Sequence, residues 1–158
     1  MEDHRPHSCL VAVEPPDQPD IQRLLDLSDA VAARLYPGAF RQPITAASLA
    51  LPSVTLFVAR DETTCAIGCA ALLALSDDAA ELKRMIVDPD HAGKGVGRSL
   101  LLAILQEARE RGIRTILLEV GIHNVAARRL YEQVGFHDRG PFGSYRQTPI
   151  ATFMQIDL

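Results

Sequence analysis

Three glycines and a lysine stand within five residues, in the stretch VDPDHAGKGVGRSLL that runs from Val87 to Leu101. An apolar run precedes this glycine turn (residues 92–97), and an amphipathic pattern with helical spacing follows it. Glycine lets a backbone turn tightly and approach a ligand, and the first amide N–H groups of a helix have no partner within the helix. The helix dipole adds roughly half a positive charge there. A strand, a glycine turn and a helix in this order predict a phosphate site.

The spacing of the glycines excludes two common nucleotide-binding loops. The Walker A loop, G-x-x-x-x-G-K-[ST], requires a lysine after its last glycine, but here Lys94 precedes Gly95. The dinucleotide loop, G-x-G-x-x-G, requires glycine at its sixth position. Counted from Gly93, that position is Arg98, and counted from Gly95 it is Leu100. Neither loop is therefore predicted. A phosphate bound at the glycine turn would belong to a ligand other than those that the two loops hold.

The glycine turn lies in a chain that mixes predicted strands and helices. Strands are predicted at residues 8–13, 54–60, 65–75, 80–87, 113–120, 136–146 and 151–157. Helices are predicted from an Asp20 cap to residue 36, near Thr45 to Leu49, from the glycine turn to Gly112, and from Asn124 to Gly135. The crossover between residues 80 and 120 makes its two strands parallel, whereas residues 54–75 form an antiparallel hairpin. The predicted fold class is α/β (α+β), with a mixed, mainly antiparallel sheet and flanking helices.

The bulk composition limits the class of protein. The chain has 158 residues, 47% of them hydrophobic, so we expect a single domain over residues 1–158 with residues 1–7 flexible. The net charge of -4 argues against a nucleic-acid partner. The H-x-x-H spacing of His4 and His7 falls in the flexible terminus, and no metal site or membrane span is predicted. The three cysteines form no C-x-x-C pair, which fits a reducing cytoplasm: Cys9, Cys65 and Cys69.

A second block strengthens the interpretation of the glycine turn. The segment NVAARRLYEQVGF, residues 124–136, carries the pattern N-x-x-A-x-x-L-Y-x-x-x-G-F at every position. With AGKGVGRSLL ahead of it, the chain resembles the GNAT superfamily of acyl-CoA N-acyltransferases, as a small single-domain, bacterial-type member. The resemblance covers residues 54–158. It implies the acyl-CoA N-acyltransferase fold, in which the strands at 80–87 and 113–120 splay apart and admit the pantetheine arm of the cofactor.

The resemblance assigns a coenzyme A site and makes acetyl-CoA the expected co-substrate. The residues that it implies as contacts are Met85, Ile86, Val87, Ala92, Gly93, Lys94, Gly95, Val96, Gly97, Arg98, Ser99, Asn124 and Tyr131. In the family pattern [Q/R]-x-x-G-x-[G/A], Gly95 and Gly97 match, but Ala92 stands where Gln or Arg is usual. Because backbone N–H groups supply most phosphate contacts, we expect Ala92 to weaken cofactor binding without abolishing it. Lys94 is predicted to contact a phosphate or to stay in solvent, and Asn124 to cap the last helix as well as to contact the pantetheine arm.

Acyl transfer from a thioester to an amine needs a proton acceptor and a proton donor. An amine with a pKa of about 10.4 is mostly protonated at neutral pH, and a departing thiolate, whose thiol has a pKa of about 8.5, gains from a donor. The resemblance implies Tyr131 as the donor to the leaving sulfur, with a packing role as the alternative. Cys65 and Cys69 lie in the hairpin, away from both motifs, so no acyl-enzyme is expected.

The resemblance implies Glu81 as the general base. Strand alternation predicts that Glu81 shares a face with Lys83, Met85 and Val87 and so lines the acceptor cleft. A carboxylate that is merely solvated or paired with Lys83 is the alternative. The competing bases are Glu119, on the facing strand, and His123.

The predicted activity is transfer of an acetyl group from acetyl-CoA to a primary amine of a small molecule, by direct attack in a ternary complex. A protein lysine or N-terminal acetyltransferase and a non-catalytic acyl-CoA-binding module are the alternatives, and a homodimer is left open. The segment 140–150 is predicted either to cover the acceptor site or to pack its aromatic residues on the sheet.

The charges near the predicted acceptor site bear on the substrate. The loops predicted to form the acceptor site carry three arginines, Arg41, Arg139 and Arg146. Their only acidic residue is Asp138. This balance disfavours polyamines and favours an amine that also bears a carboxylate.

Overall fold

The computed structural model of the chain describes residues 9–36, 38 and 45–158. Its strands are β1 (Leu10–Val13), β2 (Val54–Arg60), β3 (Ala66–Ala74), β4 (Ala79–Val87), β5 (Thr115–Gly121), β6 (His137–Arg139) and β7 (Ala151–Asp157). Its helices are α1 (Pro19–Leu35), α2 (Ala46–Leu49), α3 (Val96–Glu110) and α4 (Val125–Val134), with a turn of 3-10 helix at Pro89–His91. Of the helices in these ranges, none is long and apolar enough to cross a membrane. The predictions for residues 1–7 and for Arg41 lie outside the described residues.

The described strands form a seven-stranded sheet in the order β1-β2-β3-β4-β5-β7-β6. Neighbouring strands are antiparallel except β4 and β5, which run parallel. Helix α3 supplies the crossover that a parallel pair requires. The predicted α/β fold, with a mixed and mainly antiparallel sheet, is therefore confirmed.

The two faces of the sheet carry different helices. Helices α3 and α4 cover one face, here called the α3 face, with a core that includes Leu82, Leu100, Ile104, Leu118 and Met154. Helices α1 and α2 pack on the opposite face, here called the α1 face, around Ile21, Leu24, Leu25, Leu49 and Val58. Further along the α1 face a smaller cluster joins Leu117, Phe142, Ala151 and Phe153. Leu117 and Phe153 alternate along their strands with residues of the α3-face core, so the chain buries both faces of the sheet.

Two predicted boundaries are wrong. The strand predicted over 136–146 is β6 and ends at residue 139, because the turn residues that follow interrupt the extended run. Asp20 does not cap α1, since Pro19 occupies the first helical position and Gln18 the cap. The Asp20 carboxylate instead forms an ion pair of 2.7 Å with Arg60.

Arg60, at the end of β2, ties β1 and α1 to the sheet. Its guanidinium donates hydrogen bonds to Glu14 at 2.8 Å and to Asp20 at 2.7 Å. These bonds lower the pKa of both carboxyl groups. The network therefore stays charged at neutral pH and fixes the start of the helix that covers the α1 face.

Tyr36 fastens the other end of α1 to the turn between β5 and α4. Its hydroxyl donates to Asn124 Oδ1 at 2.8 Å and accepts from the His123 amide at 3.2 Å. The Tyr36 ring stacks on the imidazole of His123, with 5.5 Å between centroids. Asn124 occupies the cap position of α4, as predicted, but its side chain makes no capping bond and accepts from Tyr36 instead. The Tyr36 hydroxyl also lies where a Cβ on Gly121 would stand.

We expect Gly121→Ala to destabilise the fold by about 1–3 kcal/mol, because the added methyl group must displace the Tyr36 ring. In a Tyr36→Ala background the same change should cost much less, so the double-mutant cycle gives a coupling energy. Urea unfolding of each member of the cycle measures both costs. Equal costs in the two backgrounds would show that Tyr36 does not occupy this position.

Candidate active site

A cleft opens where the parallel strands β4 and β5 separate. They pair from Ala79 with Thr115 to Leu82 with Leu118. Beyond that point β4 continues beside β3, and β5 continues beside β7. Within the described residues, the main chain of 83–87 consequently has no strand partner on its β5 side. The predicted splay of the parallel pair is confirmed.

A β-bulge at Arg84 decides which side chains face each side of the cleft. The register with β3 shifts directly after Lys83, and Arg84 has a left-handed backbone with a φ of 58°. Met85 and Val87 consequently pack on the α3 face. The predicted alternation, which put them on the face of Glu81, is wrong, because the bulge adds one residue to the strand and reverses the pattern.

The glycine turn leaves a row of amide groups available. Gly93 and Gly95 have left-handed backbones, with φ values of 74° and 82°, which glycine adopts without strain. From Gly93 to Arg98, no amide N–H donates a hydrogen bond within the described part of the chain, and Ser99 is the first to do so, at 3.0 Å from the Gly95 carbonyl. Open space lies beside Gly93 and Gly95. These donors at the start of α3 fit a phosphate or pyrophosphate group.

Asp88 anchors the strand end from which the turn departs. This buried carboxylate accepts from the Asp90 amide at 3.0 Å and pairs with Arg23 of α1 at 2.8 Å. Arg23 also donates to the Ala66 carbonyl at 2.7 Å. The hydrogen bond from Arg23 lowers the pKa of Asp88, so the pair is charged at neutral pH. The turn is thus held against both α1 and β3.

Other residues of the turn pack against α4 or face solvent. A Cβ on Gly97 would come 2.7 Å from Leu130 Cδ2, so Gly97 permits the close approach of α3 and α4. Ala92 and Lys94 are exposed. Lys94 borders a cavity of about 310 Å³ on the side of the β2–β3 hairpin. The cavity is also lined by Cys9, Asp61, Glu62, Thr63 and His91.

Tyr131 projects from α4 into the core of the α3 face. It is buried, and its ring lies against Phe136 with 5.6 Å between centroids. Its hydroxyl makes no hydrogen bond to another residue in the described ranges. Burial raises the pKa of Tyr131, so the phenol stays protonated at neutral pH and remains a proton donor.

Two carboxylates lie at the cleft on the α1 face. Glu81, only 4% exposed, accepts a hydrogen bond of 2.6 Å from the Tyr145 hydroxyl and lies 3.9 Å from Lys83 Nζ. Glu119 keeps access to solvent, yet the surrounding protein raises the pKa of its carboxyl group by removing water, and the charge of Glu81 raises it further. Glu81 and Glu119 therefore interact across the cleft.

The segment between β6 and β7 supports Tyr145. The Tyr145 ring contacts Phe142 and Phe153, with centroid distances of 5.0 Å and 5.8 Å. Burial and the hydrogen bond to Glu81 raise the pKa of Tyr145. The aromatic residues thus pack on the sheet, as one of the two predictions for this segment had it, and the Tyr145 hydroxyl reaches the cleft.

Sequence reasoning missed Arg84 and Tyr36. The β4 sequence gives no sign of a bulge, because Arg84 has neither the missing side chain of glycine nor the short polar one of asparagine. Tyr36 contacts a residue 88 positions away, which no local pattern reports. His123, a predicted alternative base, stacks on the Tyr36 ring with 5.5 Å between centroids.

Comparisons with known proteins agree with this geometry. The family model of the Acetyltransferase (GNAT) family matches residues 22–136. An IAA acetyltransferase of Azospirillum brasilense is 36% identical over 149 residues, which cover 94% of this chain and 97% of that protein. A ribosomal protein bS18-alanine N-acetyltransferase of Escherichia coli is 44% identical over 61 residues, or 39% of this chain and 41% of that protein.

Solved structures share the fold. A Klebsiella pneumoniae protein provisionally named an acyl-CoA N-acyltransferase superposes with a TM-score of 0.82 at 29% identity, covering 96% of this chain and 99% of that chain. A GNAT family acetyltransferase of Elizabethkingia anophelis, solved with acetyl-CoA bound, gives a TM-score of 0.70 at 17% identity over 95% of this chain and 98% of that chain. With a family model that spans both motifs and a relative similar along nearly the whole chain, the protein belongs to the GNAT family and is an N-acetyltransferase.

Proposed function

We propose that the protein transfers an acetyl group from acetyl-CoA to a primary amine of a small molecule, by direct attack within a ternary complex. The observation that carries this proposal is the separation of β4 from β5 beyond Leu82 and Leu118. The glycine turn and Tyr131 lie toward the α3 face of this opening, and Glu81 and Glu119 lie toward the α1 face. A donor and an acceptor can thus approach the same gap from opposite faces.

The residues around the glycine turn fit coenzyme A. The amides from Gly93 to Arg98 would hold the pyrophosphate, and the open main chain of 85–87 would hold the pantetheine arm. Asn124 Oδ1 accepts from Tyr36, which leaves its amide nitrogen as a donor to the same arm. Bound acetyl-CoA supplies an activated acetyl thioester. Since Ala92 offers no polar side chain, the phosphates depend on the backbone amides.

Tyr131 is the proposed proton donor to the leaving sulfur. Its burial raises the pKa of the phenol, so the proton is present at neutral pH. Transfer to a departing thiolate is favoured once negative charge has formed on the sulfur. Cys69 is buried, and burial raises its thiol pKa to about 12, which supports direct attack rather than an acyl-enzyme on this residue.

Glu119 suits the role of base better than Glu81. Glu81 accepts from Tyr145 and lies near Lys83, so its charge is already engaged. Glu119 has access to solvent and a raised pKa. Its carboxylate is therefore a stronger proton acceptor than that of an ordinary glutamate. We therefore propose Glu119 as the base, acting directly or through water, and Glu81 as the group that raises its pKa and holds Tyr145.

Tyr131→Phe should lower kcat by about a hundredfold or more while the Kd for acetyl-CoA changes little, because the ring packing is kept and only the proton donor is lost. Release of free coenzyme A over a panel of small amines and N-terminal peptides measures kcat and identifies the acceptor class. Calorimetric titration measures the Kd. An unchanged kcat with the best acceptor would remove Tyr131 from the donor role.

The pH dependence should report the raised pKa of Glu119. A base works only when deprotonated, so kcat/KM, corrected for the fraction of free amine, should fall as the pH drops through a pKa above the ordinary glutamate value of 4.5. Glu119→Gln should abolish this acidic limb together with most of the activity. Glu81→Gln should move the limb to lower pH, because it removes a negative charge that raises the pKa of Glu119. An acidic limb that survives in Glu119→Gln would assign the base to another group.

A further inference from the structure

The bulge in β4 turns Arg84 toward the acceptor side of the cleft. In a regular strand, residue 84 would point away from the face of Lys83, whereas a bulge places two successive residues on one side. Among the groups that act electrostatically on Arg84 are three carboxylates and a phenol of the α1 face: Glu119, Glu81, Asp29 of α1 and the Tyr145 hydroxyl. Arg84 therefore lies among the groups that line the cleft opposite the glycine turn.

The backbone at Arg84 is strained. A long side chain at a φ of 58° is strained, and a glycine or asparagine would adopt this conformation at lower cost. Strained positions of this kind concentrate at functional sites, where the surrounding structure enforces them. Here the strain accompanies the bulge that puts residue 84 on the same side of β4 as Lys83.

The charges of the cleft are of both signs. Glu81, Glu119 and Asp29 are opposed by Lys83 and Arg84, and Glu81 also accepts from Tyr145. Among the described residues, this site thus holds groups of both signs, three carboxylates and two cationic groups. A ligand that carries both an ammonium and a carboxylate complements it, with the amine at Glu119 and the carboxylate at the guanidinium.

We propose that Arg84 binds a carboxylate of the acceptor, so that the acceptor is a small amino acid or a similar amine with a carboxylate group. The inference rests on the proposed function and adds a substrate class to it. A guanidinium can hold a carboxylate through two parallel hydrogen bonds, which fixes the direction in which the amine points. Arg139, one of the arginines whose charge favours a carboxylate in the sequence analysis, donates to Gln155 at 2.6 Å and lies over the Phe142 ring at 5.7 Å.

The test compares amino acids with their carboxamides, which differ only in the charge of one group. Rates of coenzyme A release are corrected for the fraction of free amine. The wild-type protein should prefer the acid in kcat/KM by about tenfold to a hundredfold, mainly through KM. Arg84→Asn, which suits the left-handed backbone, should lose this preference and keep its KM for acetyl-CoA. Arg84→Lys should retain part of it, because the charge remains but the paired hydrogen bonds do not.

Arg129→Gln serves as the matched control, since Arg129 is exposed on α4 and that helix packs on the α3 face. It should leave the preference unchanged. Equal use of acids and carboxamides by the wild-type protein, or a preference that survives in Arg84→Asn, would overturn the role of Arg84 while the proposed acetyl transfer stands.

A separate measurement covers the case in which no amine releases coenzyme A and the proposed function fails. Amino acids are then titrated calorimetrically into the protein saturated with coenzyme A. Binding that is lost in Arg84→Asn but kept in Arg129→Gln supports the carboxylate site. Binding that is absent in the wild-type protein, or equal in all three, contradicts it.

Discussion

The candidate site depends on the point at which the hydrogen bonds between β4 and β5 end. A parallel pair normally satisfies the backbone groups of both strands along its length. Here the pairing stops at Leu82 and Leu118, and each strand continues beside its other neighbour. The backbone of β4 beyond this point needs other partners, because unpaired polar groups away from water cost free energy. A ligand with amide groups along an extended arm would supply them.

The rest of the fold holds this opening in place. Asp88 and Arg23 fix the end of β4 and the start of the glycine turn to α1. Tyr36 fixes the far end of α1 to the turn that follows β5. Helix α1 therefore bridges both sides of the gap, and its own start is set by Arg60. Each contact is a hydrogen bond or an ion pair between distant segments, so the width of the gap follows from tertiary structure.

The sequence was sufficient for the fold class, the crossover and the family, because these depend on patterns within short segments. The glycine turn and the block from Asn124 to Phe136 each specify a local conformation that packing does not override. Strand alternation failed at Arg84, because a bulge has no signature when the residue is not glycine. The Glu81–Tyr145 contact joins residues 64 positions apart, so only the folded chain brings Tyr145 to the carboxylate.

The two carboxylates illustrate the same limit in chemical terms. From the sequence, the resemblance implies Glu81 as the base and leaves Glu119 as a competitor. Their surroundings distinguish them, since Glu81 is engaged by Tyr145 and Lys83, while Glu119 has a raised pKa and remains accessible. Burial and charge around a carboxyl group are properties of the assembled cleft, and they decide which group can accept a proton.

Hydrogen–deuterium exchange with and without acetyl-CoA tests the central claim most directly. The amides from Gly93 to Arg98 donate no hydrogen bond within the described residues, so they should exchange rapidly in the free protein. Saturating acetyl-CoA should slow exchange at these amides and along residues 83–87, with little change in β1 and β2. Binding of acetyl-CoA that leaves both segments unprotected would contradict the account, because the cofactor would then lie outside the gap between β4 and β5.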